Sequence, residues 1–210
     1  MTSGRLEAFS DGVLAIIITV MVLGLAVPKG DDWADLFRTS GLGLLTYLLS
    51  FVYIGIYWNN HHHLFQLRPP VGGGVLWANL HLLFWLSLYP FTTGWLTESH
   101  VSLVPTVVYG LNLLAAGVAY FILQAAIIRR PGGERLREAF GRNVKGLISP
   151  VLYLAGIGLA FLTPWLGLVP FVAVAVIWLV PDRRVERYLS AHPIAAEGTP
   201  PAADADDPAP

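Results

Sequence analysis

Residues 12–23 read GVLAIIITVMVL, twelve residues without a charged side chain. They form the centre of an apolar run from about residue 6 to residue 27, which ends at the sequence PKG. A helix needs about 20 mostly apolar residues to cross a hydrocarbon core of about 30 Å. The run lacks a small-residue cleavage site and continues past signal-peptide length. It is therefore predicted to be a membrane-spanning helix of the mature protein.

Five further apolar runs follow, at about 41–61, 75–96, 103–128, 147–162 and 165–180. The last two are short and meet at a tight turn, so one broken hairpin is an alternative there. Only 13% of the 210 residues are charged, about half the usual share of a soluble domain. The sequence predicts an all-α integral membrane protein with six transmembrane helices per subunit.

The basic residues indicate which side of the membrane each loop occupies, because cytoplasmic loops carry an excess of Lys and Arg. With the N-terminus inside and six spans, 11 of the 13 basic residues lie in cytoplasmic segments. Only Lys29 and Arg38 then lie outside, in a loop that also carries three aspartates. Both the N- and the C-terminus are therefore predicted to be cytoplasmic.

Composition also predicts where the domains begin and end, and it excludes some classes of function. Residues 1–187 are predicted to be one six-helix transmembrane channel domain, and residues 188–210, rich in Pro, Ala and Asp, a disordered cytoplasmic tail. The basic segment 129–145 is predicted to be an amphipathic cytoplasmic helix that lies against anionic headgroups, with a regulator as the alternative partner. A net charge of -1 argues against nucleic acid as a partner. The chain has no cysteine and no catalytic constellation, so neither an enzyme nor a cofactor is expected.

The first predicted helix carries a stripe of small and aliphatic side chains with one hydroxyl. Its members recur at intervals that place them on one helix face: Gly12, Ile16, Thr19, Val20, Leu23 and Val27. Spacing alone favours packing against another helix. The alternative is a pore lining, in which an Ile ring makes a hydrophobic constriction and a Thr ring offers oxygen atoms to a partly dehydrated cation.

Polar side chains precede this stripe in the sequence RLEAFSD, residues 5–11. An acid within an apolar helix is expected to have a partner. Arg5 and Asp11 are six residues apart and lie on different helix faces, so each should find its partner on another helix or subunit. The alternative is that Ser10 and Asp11 cap a helix that begins later.

Histidines cluster where the second predicted helix ends and the third begins: His61, His62, His63 and His81. Successive side chains on a helix point about 100° apart, which makes one metal site from the first three difficult. A hydrogen-bond network with Ser10 or Asp11 is favoured, and a metal site or a proton relay is the alternative. Trp58 could be an interfacial anchor.

Three stretches together resemble the transmembrane protein 175 family of potassium channels. Arg5-x-x-x-Phe9-Ser10-Asp11 is similar to that family's R-x-x-x-F-S-D signature. Its second- and third-helix motifs are similar to Trp58-x-x-His61-His62-x-Leu64-Phe65 and Ser87-x-x-Pro90-Phe91-x-Thr93. The three occur in the right order on the right helices, and the resemblance covers roughly residues 5–180.

The resemblance implies a cation pathway lined by the first helix, without a filter of the TVGYG kind. Its narrowest point would be formed by Ile16, Val20 and Leu23, with Thr19 as the polar position for selectivity. The pore helix would be held by a network of Arg5, Phe9, Ser10, Asp11, Trp58, His61 and His62. Because members with two repeats resemble dimers, this single-repeat chain is expected to be a homotetramer.

The predicted function is a potassium-permeable cation channel in a prokaryotic plasma membrane, crossed several times by the chain. Potassium would permeate passively through the hydrophobic constriction, with no bound metal. One alternative is a proton-coupled secondary transporter that uses Asp11 and the histidines. Another is a membrane enzyme or metal-binding protein built on the four histidines.

Overall fold

The computed structural model describes residues 2–66, 70–129 and 144–179, which contain helices and turns but no strand. The helical segments in chain order are α1 Ser3–Leu23, α2 Trp33–Gln66, α3 Gly73–Ser87, α4 Tyr89–Glu98, α5 Leu103–Ile128, α6 Val144–Ala160 and α7 Pro164–Leu179. Because only Leu88 separates α3 from α4, we treat these two as one broken helix. The seven segments then form six apolar helical units, which we call rods. The predicted all-α membrane fold with six helices is confirmed.

Four of the rods are long and apolar enough to cross a membrane: Ser3–Leu23, Trp33–Gln66, Gly73–Glu98 and Leu103–Ile128. The last two, α6 and α7, have 17 and 16 residues within the described part of the chain, and α6 begins and α7 ends next to residues that the structure does not describe. They pack closely on each other and on α5. Their backbones reverse direction in a turn in which the Leu162 N–H donates to the Leu159 carbonyl at 3.0 Å.

The second helix is much longer than the predicted run of about 41–61. It begins at Trp33. The Asp32 carboxylate accepts a hydrogen bond from the backbone N–H of Asp35 at 2.7 Å, and it thereby caps the first turn of the helix. Its 34 residues extend about 51 Å at 1.5 Å per residue, more than the thickness of the hydrocarbon core. The histidines predicted at its end therefore lie within the helix.

The third rod breaks next to Pro90. The break comes at Leu88, which ends α3 and precedes α4, and Pro90 occupies the first turn of α4, where a missing N–H costs little. The Ser87 hydroxyl donates to the Phe84 carbonyl at 2.7 Å. The Thr92 hydroxyl is 3.2 Å from the Leu88 carbonyl. The hydroxyl of Thr93 instead contacts another helix.

The rods are arranged around α5 and the polar face of α2. α1 contacts α2, α3 and α4, whereas α5 contacts α3, α4, α6 and α7. We use the term polar face of α2 for a row of buried polar side chains at helical spacing: Ser40, Thr46, Ser50, Tyr53, Tyr57 and His61. Hydrocarbon offers no hydrogen-bond partners, so these groups are placed towards the interior of the subunit.

Most members of the polar face bond to another element. The Thr46 and Thr97 hydroxyls are 2.6 Å apart, and the Tyr53 hydroxyl donates to the Phe171 carbonyl at 2.6 Å. The Ser40 hydroxyl donates to the Ala26 carbonyl, also at 2.6 Å. These contacts hold α2 against α4, α7 and the connection that follows α1.

The predicted boundary between residues 1–187 and 188–210 lies outside the described residues. Most of the basic segment 129–145 does so as well, since only its first residue and its last two are described. Both stay predictions.

The contact between α6 and α7 depends on glycine. A Cβ at Gly156 would overlap the Phe171 ring and lie 2.8 Å from the Gly167 carbonyl, whereas one at Gly158 would meet nothing within 4 Å.

We predict that Gly156→Ala lowers the free energy of unfolding by about 1–3 kcal/mol through overpacking. Gly158→Ala should leave it unchanged or raise it by up to about 1 kcal/mol. Denaturant titration of both variants in mixed micelles checks this, and equal effects would contradict the close contact.

Candidate functional site

The two faces of α1 have opposite surroundings. One face is buried in the subunit and consists of Leu6, Ser10, Leu14, Ile17 and Met21. On the other, Ile16 is 63% exposed, Val20 47% and Leu23 83%. The side chains of the predicted constriction are therefore largely uncovered by the described part of their own chain. They remain free to meet lipid, another copy of the chain or a pore.

Thr19 lies on this exposed face. Its hydroxyl donates to the Ile16 carbonyl at 2.8 Å, within the same helix. Because the hydroxyl proton is used in that bond, the oxygen lone pairs stay available as acceptors. Thr19 is therefore able to offer an oxygen atom on the face that carries Ile16 and Val20.

A buried hydrogen-bond chain ties the other face of α1 to α3 and α2. The Ser10 hydroxyl donates a hydrogen bond to the Leu6 carbonyl at 2.9 Å. It also accepts one from the side-chain N–H of Asn79 at 2.9 Å. The Asn79 carbonyl oxygen is 2.8 Å from Nε2 of His61. Because that oxygen only accepts, Nε2 carries the proton and Nδ1 does not, if His61 is neutral. Three helices are thus joined by one directional chain.

A second polar cluster lies beside the first and joins α1 to α2. His62 Nδ1 is 2.7 Å from the carboxylate of Glu7, and Nε2 is 2.7 Å from the side-chain amide of Gln66. Trp58 stacks on the His62 ring, with centroids 6.0 Å apart and planes inclined by 14°. The start of α1 is therefore attached to α2 by a polar contact that is partly open to solvent.

Of the seven residues predicted to form the network, the structure brings Ser10, Trp58, His61 and His62 into these two clusters. Arg5 is exposed and makes no hydrogen bond or ion pair with any described residue, and Phe9 is 49% exposed. Asp11 is partly buried, and its Oδ1 atom has no hydrogen-bond partner in the described part of the chain. Among the described residues of one chain, these three residues do not join the two clusters.

Sequence reasoning missed Asn79 and Glu7, the residues that complete the two clusters. Asn79 could have been found as a polar side chain within an apolar run, since such residues usually pair with another helix. Glu7 precedes His62 by 55 residues, and only the packing of α1 on α2 brings them together. Sequence spacing alone therefore did not show that a carboxylate lies beside the histidines.

The four histidines have different partners and do not converge. His61 bonds to Asn79 and His62 to Glu7, whereas His63 Nδ1 is 3.3 Å from Gln66. His81 accepts the indole N–H of Trp85 at 2.9 Å. Over residues 2–66, 70–129 and 144–179, no group of three or more metal-ligating side chains occurs. The structure gives no support to a site shared by all four.

The fold and the site define a membrane protein whose first helix is held by polar contacts on one side and is uncovered on the other. The family described as Endosomal/lysosomal potassium channel TMEM175 matches residues 5–90. A Chryseobacterium protein named as a potassium channel is 52% identical over 190 residues, which are 90% of this chain and 98% of that protein. The chain therefore belongs to the TMEM175 family.

Two further relatives extend the comparison. The crystal structure of a lysosomal potassium-selective channel TMEM175 homolog from Chamaesiphon minutus superposes with a TM-score of 0.67 at 28% identity. The match covers 87% of this chain and 97% of that one. A Gallus gallus protein named as an endosomal/lysosomal proton channel is 30% identical over 135 residues, which are 60% of this chain and 25% of that protein.

Asn79 is the central residue of the buried chain, because its amide bonds to both Ser10 and His61. We predict that Asn79→Ala lowers the free energy of unfolding by about 1–3 kcal/mol, since two buried polar groups lose their partner. Asn60→Ala is the matched control, because that amide donates only to the Ile56 carbonyl of its own helix. It should cost less than about 1 kcal/mol in the same unfolding titration. A loss of equal size in both variants would mean that the buried chain does not stabilise the bundle.

Proposed function

We propose that this protein is a potassium-permeable channel in which ions pass along the exposed face of α1. The observation that supports this most directly is that Ile16, Val20 and Leu23 are uncovered in their own subunit while the opposite face of α1 is buried. Membership of a family described as a potassium channel supports the choice of ion. The protein would then be a passive channel and not an enzyme.

The narrow part of this pathway would be apolar. Ile16 and Leu23 lie seven residues, about two turns, apart, and Val20 lies between them, so one ring of each would make a neck about 10 Å long. An apolar neck conducts only when it is wetted, and a cation must lose part of its hydration shell to pass. The Thr19 oxygen could replace part of that shell, giving selectivity without the TVGYG sequence, which the chain lacks. Potassium is the permeant ion, and no cofactor is required.

A single α1 cannot enclose a pathway, so several copies must surround one axis. We propose a homotetramer with fourfold symmetry, in which the exposed faces of four α1 helices point inwards. Arg5 and Asp11 lack partners within the described part of their own chain, and an assembly could supply them. The proposal therefore gives a reason for charged groups that one subunit leaves unpaired.

The assembly would lie in the plasma membrane of a prokaryote, with both termini in the cytoplasm. The distribution of Lys and Arg over the loops supports this orientation. It would place the Glu7–His62 contact at the inner end of the pathway and the Asp31–Asp35 region at the outer end.

We expect Ile16→Asn to raise potassium conductance several-fold and to lower the preference for potassium over sodium, because an amide ring wets the neck. The measurement is ion flux in liposomes with purified protein, using potassium and then sodium gradients. Leu154→Asn is the matched control, because it places the same amide on an exposed apolar face of α6. It should leave flux unchanged. If Ile16→Asn has no effect on conductance or selectivity, the neck is not at this position.

The same liposomes separate the channel from the transporter alternative. A channel gives flux driven by the potassium gradient alone, whereas a proton-coupled carrier using Asp11 and the histidines gives saturable flux that follows the proton gradient. The vertebrate relative named as a proton channel makes this comparison necessary. Potassium-driven flux that does not depend on a pH gradient supports our proposal.

We expect native mass spectrometry of the purified protein to detect four 22.9 kDa chains. Introducing a charge on the exposed face of α1, as in Val20→Asp, should reduce the tetramer fraction, because four charges would meet near one axis. Val151→Asp, on an exposed face of α6, is the control. A monomer or dimer for the unmodified protein would rule out a pathway closed by four copies of α1.

A further inference from the structure

A polar cavity of about 140 Å³ lies between α1, α2 and α4 of one subunit. Its walls come from the end of α1 and the chain that follows it, from the first half of α2 and from α4. A water molecule needs roughly 10–15 Å³ of such space, so the cavity has room for a ligand of several non-hydrogen atoms. Val20, a residue of the proposed neck, is among those that line it. We call this space the outer cavity, because the orientation proposed above places the end of α1 on the outer side.

The electrostatics of the outer cavity favour a positive charge. α1 ends at Leu23 and α4 at Glu98, and residues at both helix ends line the cavity. The C-terminal end of a helix carries a partial negative charge. The Glu98 carboxylate adds a formal charge and makes no hydrogen bond or ion pair with any described residue. No Lys, Arg or His is among the described residues of the lining. A cleft whose charges have one sign concentrates ions of the opposite sign.

The hydroxyl groups of the outer cavity fall into two sets. Those of Ser40, Thr93 and Thr97 already bond to groups of the fold. Those of Thr39 and Tyr47 have no hydrogen-bond partner among the described residues, so their oxygen lone pairs are available to a donor. A primary ammonium group carries three N–H donors and no acceptor. It therefore matches a lining that offers a carboxylate and two hydroxyl oxygens.

Most of the remaining lining is apolar, which limits the class of cation. Val20, Met21, Leu25 and Pro90 present hydrocarbon that a hydrated metal ion could not use. Calcium and magnesium ions bind to sets of oxygen ligands that usually include carboxylates. Within the described ranges, no three Asp, Glu, His or Cys side chains lie together in such a set. An organic ammonium ion with a short alkyl chain uses both the oxygen atoms and the apolar wall.

We propose that the outer cavity of each subunit binds a small alkylammonium ion, with its ammonium group at Glu98 and its alkyl chain against Val20 and Pro90. All the described lining residues belong to one chain, so the site needs neither a tetramer nor a conducting pathway. Because Val20 also belongs to the proposed neck, the bound ion contacts the conducting helix without occupying the pathway.

Two simpler explanations compete with this one. The cavity could contain only water, in which case a charged ligand and a neutral ligand of the same size bind equally weakly. Alternatively, an alkylammonium ion could enter the proposed neck in place of potassium. Its binding would then depend on Ile16 and not on Glu98.

The experiment is calorimetric titration of the purified full-length protein in detergent micelles at constant ionic strength, with protein-free micelles as the reference. The ligands are n-propylammonium chloride and 1-propanol, which has a similar size and no charge. We expect saturable binding of propylammonium, with a dissociation constant at least tenfold below that of 1-propanol.

Three variants locate the bound ion. Glu98→Gln should raise the dissociation constant of propylammonium at least fivefold, because it removes the one charged side chain among the described lining residues. It breaks no hydrogen bond or ion pair of the described fold. Asp31→Asn is the matched control, because it removes the same charge from the outer loop, outside the cavity lining. Asp31→Asn and Ile16→Asn should each change the dissociation constant less than twofold.

Several results would overturn the proposed site. They are the absence of saturable propylammonium binding, an equal affinity for 1-propanol, or equal losses in Glu98→Gln and Asp31→Asn, which would reflect surface charge alone. Weakened binding in Ile16→Asn with unchanged binding in Glu98→Gln would place the ion in the neck instead. Ligand binding and potassium flux are separate readouts, so a protein that conducts potassium but binds no propylammonium lacks only this site.

Discussion

The structure depends on the requirement that polar groups within an apolar solvent find partners inside the protein. The polar face of α2 carries hydroxyl, phenol and imidazole groups along most of its length, and lipid could satisfy none of them. They therefore turn inwards and bond to α4, α5, α7 and, through Asn79, to α1. In a soluble protein the interior is usually its least polar part. Here a row of hydrogen bonds runs through the interior and apolar side chains cover much of the outside.

This requirement also determines how α1 is placed. Ser10 has to face Asn79 and Glu7 has to reach His62, so the polar contacts set the rotation of the helix about its axis. Once that rotation is set, Ile16, Val20 and Leu23 must point away from the subunit. The network and the proposed pore lining are thus two consequences of one helix orientation.

The last two helices contribute in a different way. Glycine allows them to approach each other closely. Their packing places Tyr153 and Phe171 against the phenol groups of α2 and α5, at ring distances of 6.1–6.3 Å. α6 and α7 therefore help to enclose the polar core.

The sequence by itself determined the class of the protein, because apolar length and low charge leave few alternatives to a helical membrane bundle. It also singled out the stripe on α1, since a period of 3.6 residues can be read directly from positions such as Ile16, Val20 and Leu23. Which way that stripe points was decided only by tertiary structure. Periodicity defines a face but does not say whether a neighbour covers it.

The hydrogen-bond partners of the polar residues likewise could not be predicted from the sequence. Ser50 lies 43 residues before Thr93 and 59 residues before Tyr109, and Glu7 and His62 are separated by 55 residues. No local pattern connects such positions. Their hydrogen bonds exist because helices distant in sequence pack side by side, and hydrogen-bond geometry is satisfied only when the rotation and depth of both helices are set. The chain thus encodes its spans locally, whereas its polar core follows from how those spans pack.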